Sequence, residues 1–142
     1  MKYIIILKLF LIITSCTIIS DLTEPVINTD MIAGNWSGKI SGLHNSDHEL
    51  NPRDIQMIII AGCTIGNVCG KLSEDNYCPG DIILLKVDGT RFEFLSETVS
   101  GVQHICGTGD LRKIELELRS DETIYFVNQN GATYLTGILY KK

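Results

Sequence analysis

The chain has 142 residues, 44% of them hydrophobic, and a formal net charge of −5, which is enough for one domain with a real core but not for two. With 17 acidic against 12 basic residues, and the basic ones scattered, nothing in it can track a phosphate backbone, so no nucleic-acid partner is expected. Charge-driven attachment to an anionic lipid surface is disfavoured for the same reason.

The chain opens on an export signal. Lys2 and Lys8 lie in and around an apolar stretch between Ile4 and Ile13 that is too short and too interrupted to span a bilayer comfortably. It closes on Ile13-Thr14-Ser15-Cys16. This run resembles the bacterial lipobox, in which a branched apolar residue and two small residues precede a cysteine that receives diacylglycerol before cleavage. The resemblance implies a signal peptide over residues 1–15, lipid attachment at Cys16, and an extracytoplasmic address in the bacterial cell envelope. Thr17, in place of an aspartate, is consistent with sorting to the outer membrane of a diderm. Two readings compete: an ordinary secretory peptide with Cys16 near its cleavage point, and a permanent anchor extended by Ile18 and Ile19, against which Lys8 argues.

Residues 16–31 keep no period, contain Pro25 and are dotted with Asp, Thr and Asn. They read as a flexible tether, with a root-mean-square reach of about 20 Å.

From there to the end, residues 32–142, the pattern changes to short β-type runs separated by Gly, Asn and Asp. Eight are predicted, over residues 35–43, 55–61, 67–72, 82–87, 91–97, 111–119, 123–128 and 132–140. Asp88-Gly89 and Asn130-Gly131 supply the positive φ of tight hairpin turns. Ser120-Asp121-Glu122 is a third turn, and residues 62–66 a fourth. Ile114, Leu116 and Leu118 alternate with Lys113, Glu115, Glu117 and Arg119, so one face is core and the other wet. Phe92 and Phe94, then Ile124 and Phe126, repeat the pattern. No window of eleven or more residues holds a 3.6 period, so helix content is expected to be close to nil. Eight short antiparallel strands must close on themselves or stack as two sheets, and consecutive hairpins favour closure. The predicted fold is all-β, a small eight-stranded up-and-down barrel, with a β-sandwich as the alternative.

Setting Cys16 aside leaves four of the five cysteines, and an even number in an exported chain suggests two disulfides. Of the three pairings, Cys63 with Cys69 across a tight turn and Cys78 with Cys106 between distant strands is favoured. Structural zinc competes, but no spacing makes a Cys-x-x-Cys knuckle.

Gly34-Asn35-Trp36, opening the first strand, resembles the Gly-x-Trp that begins many lipocalin- and avidin-type barrels. That resemblance implies a tryptophan plugging one end, with a basic residue of the last strand stacked across it. Lys141, in Gly137-Ile138-Leu139-Tyr140-Lys141, is placed to fill that role. The bland reading of Trp36 is a large core residue, one of an interior set with Met57, Phe92, Phe94 and Phe126 that fills the barrel.

The chemistry-bearing residues are few. His44, Asp47, His48 and Glu49 sit together, but the surrounding Asn, Ser and Pro52 make a solvated loop rather than a metal site. His104 and Cys106 suggest a Cys–His dyad only if Cys106 is reduced. Glu93, Glu97, Glu115 and Glu117 read as a wet barrel face rather than a carboxylate pair converging on a cleft. No metal, cofactor or catalytic residue is expected. The expected role is binding without catalysis, towards a protein or envelope component, through the long loops over 44–53, 73–80 and 98–110. The alternatives are a small-ligand carrier of lipocalin type and, by analogy with barrel-shaped lipoprotein inhibitors of lysozyme, an inhibitor of an envelope-attacking hydrolase.

Overall fold

Alternation of period two, broken at turn signals, closes into eight strands. The computed structural model describes residues 28–45, 47–74, 79–98 and 111–142. A 3-10 turn at Asp30–Ile32 leads into β1 (Gly34–His44), β2 (His48–Ile59), β3 (Val68–Glu74), β4 (Gly80–Asp88), β5 (Arg91–Thr98), β6 (Leu111–Ser120), β7 (Thr123–Asn130) and β8 (Thr133–Lys141). Each strand pairs antiparallel with its sequence neighbour, and β8 pairs with β1 to close the barrel. The architecture is consistent with calycin-type barrels. The expected barrel is therefore observed and the sandwich is not. Asp88-Gly89 and Asn130-Gly131 sit at hairpin turns, with φ of +58° at Gly89 and +54° at Gly131.

The interior is filled by its own side chains. Trp36, Ile40, Ile55, Met57, Ile82, Leu84, Phe92, Phe94, Ile114, Leu116, Ile124, Phe126 and Leu139 are all essentially inaccessible, as expected where eight strands leave room for little more than a packed core. Glycine makes the tight closure between β1 and β8 feasible. A Cβ on Gly137 would lie 2.2 Å from the Lys39 carbonyl oxygen, so a larger residue there forces the strands apart.

One end is sealed by the chain's approach to β1. Ile32 is fully buried in the core, and its carbonyl accepts the Trp36 indole N–H at 2.8 Å. Thr29 is also fully buried; it donates its hydroxyl to the Ile60 carbonyl and its backbone N–H to the Cys63 carbonyl. Asn28 forms a bridge with Thr64. The stretch from Asn28, which the sequence pattern places in the tether, is thus bonded to the barrel. Polar groups of that short segment find partners in the β2–β3 turn, a match that local pattern does not reveal. Lys141 Nζ stands 5.5 Å from the centroid of the Trp36 ring, a cation–π contact worth about 0.5–2 kcal/mol. Gly34 has φ +139°, and a Cβ there would lie 2.9 Å from Lys141 Cε, which is why glycine stands two residues before the tryptophan.

The largest departure from expectation is at residues 44–53, read from sequence as a loop. Most of them are strand: β2 starts at His48, and His44 pairs with His48. Pro52 is accommodated because the register shifts there, Ile40 pairing with Arg53 and Gly42 with Leu50. The irregularity frees a residue without an N–H from the ladder. Cys63 and Cys69 are disulfide-bonded across the β2–β3 turn. The leader, Cys16, Cys78, His104 and Cys106 lie outside the described residues. Gly80 pairs with Thr98, so the connections that carry Cys78 and Cys106 depart from paired strand ends.

Gly137→Ala is expected to destabilise the fold by about 1–3 kcal/mol, read from the urea midpoint. An unchanged midpoint would contradict the close approach of β1 and β8. Peptide mapping of the unreduced protein should join Cys78 to Cys106, and a free thiol at either would overturn that pairing.

Candidate functional site

Up-and-down topology sorts the connections to two ends. The chain's arrival, the β2–β3, β4–β5 and β6–β7 turns and the last residues share the sealed, apolar end. The strand ends joined by the other four connections share the opposite end, among them Thr98 and Leu111, which bound the longest interval between consecutive strands.

Followed towards that loop end, the inward apolar series of six of the eight strands stops at a polar residue. Leu72 is succeeded by Glu74, Phe94 by Ser96 and Phe126 by Asn128. On strands running the other way, Arg53 precedes Ile55, Arg112 precedes Ile114 and Thr133 precedes Leu135. Glu74, Ser96 and Asn128 are buried, and Arg53, Arg112 and Thr133 are half-buried. A polar layer therefore lies across the top of the hydrophobic core.

Its centre is Glu74, whose side chain is 2% exposed. Arg112 Nη1 donates to Glu74 Oε1 at 3.3 Å, and Arg53 Nη1 lies 3.6 Å from Oε2. Burial lifts the Glu74 carboxyl above its ordinary value, against the opposing pull of Arg112 and then of Arg53. Burying charge is costly unless it is well paired, and here two guanidiniums from different strands hold one carboxylate between them.

Above this group lies a recess of about 300 Å³ lined by His44, Leu50, Arg53, Arg112, Asn128, Asn130, Thr133 and Leu135. His44 Nδ1 and Thr133 Oγ1 share a hydrogen bond of 2.8 Å at its rim. Asn128 is 2% exposed, and its Nδ2 has no hydrogen-bond partner among the described residues. The lining supplies hydrogen-bond donors and positive charge. A histidine bonded to a hydroxyl is half of a triad, but no carboxylate among the described residues orients His44.

Other residues singled out from sequence lie elsewhere. Trp36 and Lys141 are at the apolar end. Glu93 and Glu115 face each other on the outer surface, with Lys113 Nζ 3.2 Å from one and 3.0 Å from the other, and Glu117 pairs with Arg119 at 3.0 Å. His44, His48 and Glu49 are exposed, and no group of three or more His, Cys, Asp or Glu among the described residues could hold a metal ion. Sequence reasoning does not bring Arg53, Glu74, Arg112 and Asn128 together as a set. A signal is nonetheless present: each of these inward series, extended by two residues towards the loop end, lands on a polar residue.

The raised Glu74 carboxyl makes a signed prediction. A group that holds its proton more tightly when folded contributes stability that is fully present below its unfolded value, near 4.5, and is lost as pH rises through the folded one. The stability difference between E74Q and the wild type should therefore move in favour of E74Q as pH increases above that value. Urea unfolding over a pH series measures it, and a drift the other way would contradict the burial-dominated environment.

Comparison of the chain with protein-family models, with curated proteins and with solved structures finds no match.

Proposed function

We propose that this protein is a membrane-tethered, extracytoplasmic binding protein of the bacterial cell envelope, held by a lipid on Cys16 and engaging an envelope protein or other envelope component with its loop end. The observation that carries the reading is the opposition of the two ends. The chain reaches the barrel at Asn28 on the apolar end, whereas the strand ends Thr98 and Leu111, which bound the longest connection, share the other end with the polar layer. Met31, Ile60 and Ile65 are exposed near the point of arrival, an apolar fringe suited to facing a membrane. The Gly34, Trp36 and Lys141 arrangement supports kinship with lipocalin- and avidin-type barrels.

A second reading, a small-ligand carrier, is favoured by the recess. Its ligand would be small and polar at one end, because the rest of the interior is occupied by Trp36, Phe92, Phe94 and Phe126.

Two measurements test the proposal. Cys16→Ala should shift the protein from the membrane to the soluble fraction, and retention in the membrane would sink the lipid anchor. A photo-crosslinking side chain at Asn130, on the loop end, should yield a discrete adduct in intact cells, while the same probe at Glu122, on the apolar end, should not. Equal labelling from both positions would remove the assignment of the binding end.

A further inference from the structure

The outer surface of the barrel is not uniform. Among the described residues, six of the eleven exposed large hydrophobic side chains lie on one flank of the apolar end: Met31, Ile58, Ile60, Ile65, Val68 and Leu85, each between 41% and 56% exposed. The alternation that points Ile59, Cys69, Ile82 and Leu84 inward turns their strand neighbours out, and pairing brings those neighbours together. Val68 stands opposite Ile83, itself half-buried. The Ile60 N–H bonds to the Cys69 carbonyl, next to Val68, and the Gly66 N–H bonds to the Leu84 carbonyl, which sets Leu85 beside the turn that carries Ile65. A contiguous apolar patch of this kind marks an interaction surface.

The patch is fastened where the chain arrives. Cys63 and Cys69 are disulfide-bonded, and Asn67 Nδ2 donates to Thr64 Oγ1 at 3.0 Å. The turn that carries Met31 is tied to the same place: Asp30 Oδ1 accepts the Gly62 N–H at 2.6 Å, and the Thr29 hydroxyl bonds to Ile60 and Cys63. Asn28 comes 28 − 16 = 12 residues after Cys16. A chain of that length has a root-mean-square reach of about 20 Å and a limit of about 43 Å, so a lipid on Cys16 brings this end of the barrel next to the bilayer. Charges bordering the patch are paired, Lys71 Nζ lying 3.7 Å from Asp81 Oδ1 and Lys86 Nζ 3.8 Å from Asp88 Oδ2. The apolar stems of such lysines can lie along lipid while their heads stay in water.

We propose that this β2–β4 flank is a membrane-docking surface, in which Ile60, Ile65, Val68 and Leu85, with Met31 beside them, enter the boundary between lipid headgroups and acyl chains. This deepens the tethered reading and rests on it. A lipid alone leaves the domain free to turn about its tether. The flank adds a second contact that fixes the attitude of the barrel, with β2, β3 and β4 against the bilayer and β8, opposite β4 in the closed sheet, turned to water.

The test uses the protein purified from membranes and reconstituted into phosphatidylcholine vesicles, with or without bromine on the acyl chains, and reads tryptophan fluorescence. Trp36 is 1% exposed and gives a common background. An indole added by Ile65→Trp or Leu85→Trp, at a depth of about 5–10 Å, should lose roughly half of its emission to the bromines. One added by Ile138→Trp, on the opposite side of the barrel and as exposed as Ile65 (48% against 49%), should lose none. Ile60→Ser combined with Val68→Ser, both at exposed positions outside the core, should cut the quenching of the Leu85→Trp indole severalfold. The proposal is overturned if the indoles at 65 and 138 are quenched alike, or if the double variant leaves quenching at 85 unchanged. A blue shift at 65 without bromine quenching would mean that a protein or a second copy covers the flank, and also overturns it. Flotation with the vesicles but neither quenching nor shift overturns the docking and leaves the anchor at Cys16 standing; failure to float overturns the anchor and the docking with it.

Discussion

An eight-stranded barrel encloses barely enough space for its own side chains, and the rest of this structure follows from how that space is filled. Every second residue of every strand must point inward, so the interior is written into the sequence as eight short series. Towards the apolar end these series supply Trp36, Phe92, Ile124 and Phe126, with further Ile and Leu side chains packed among them. Ile32 closes that end from outside the sheet, and the Trp36 indole is satisfied by the Ile32 carbonyl. An interior packed in this way leaves no room for a large ligand. On the proposed reading, recognition takes place at the opposite end.

There the same constraint acts on polar side chains. Glu74 cannot leave the interior without disrupting β3, and it is held by Arg112 and Arg53 from β6 and β2. Such buried ion pairs are seldom an efficient way to stabilise a fold, since apolar residues of similar volume often do as well or better. A layer that runs against the local preference for apolar filling points to a use beyond folding. On the proposed reading, that use lies at the recess above Glu74, where the Asn128 amide Nδ2 has no hydrogen-bond partner among the described residues.

Much of the architecture is legible in the sequence because alternation and turn chemistry are local. Ile114, Leu116 and their charged neighbours mark β6, and Asp88-Gly89 and Asn130-Gly131 mark two hairpins. Residues 44–53 mislead because Pro52 and the surrounding polar residues look like a loop; only pairing with β1, and the register shift opposite Ser41, makes them strand. The site is hidden for a different reason. Arg112 beside Lys113 reads as a small basic pair, yet closure of the sheet turns one inward to Glu74 and leaves the other outside with Glu93 and Glu115. Residues 53, 74 and 112 are far apart in the chain and meet only through tertiary pairing.

If the polar layer is kept for recognition rather than for stability, removing its charges should cost binding and spare the fold. The urea stability of the triple variant R53M/E74L/R112M, taken together with its loop-end adduct formation, separates the two. A folded barrel at least as stable as the wild type to within about 1 kcal/mol, with the adduct at Asn130 lost, is the expected result. A loss of several kcal/mol, or an adduct that survives the substitutions, would contradict it.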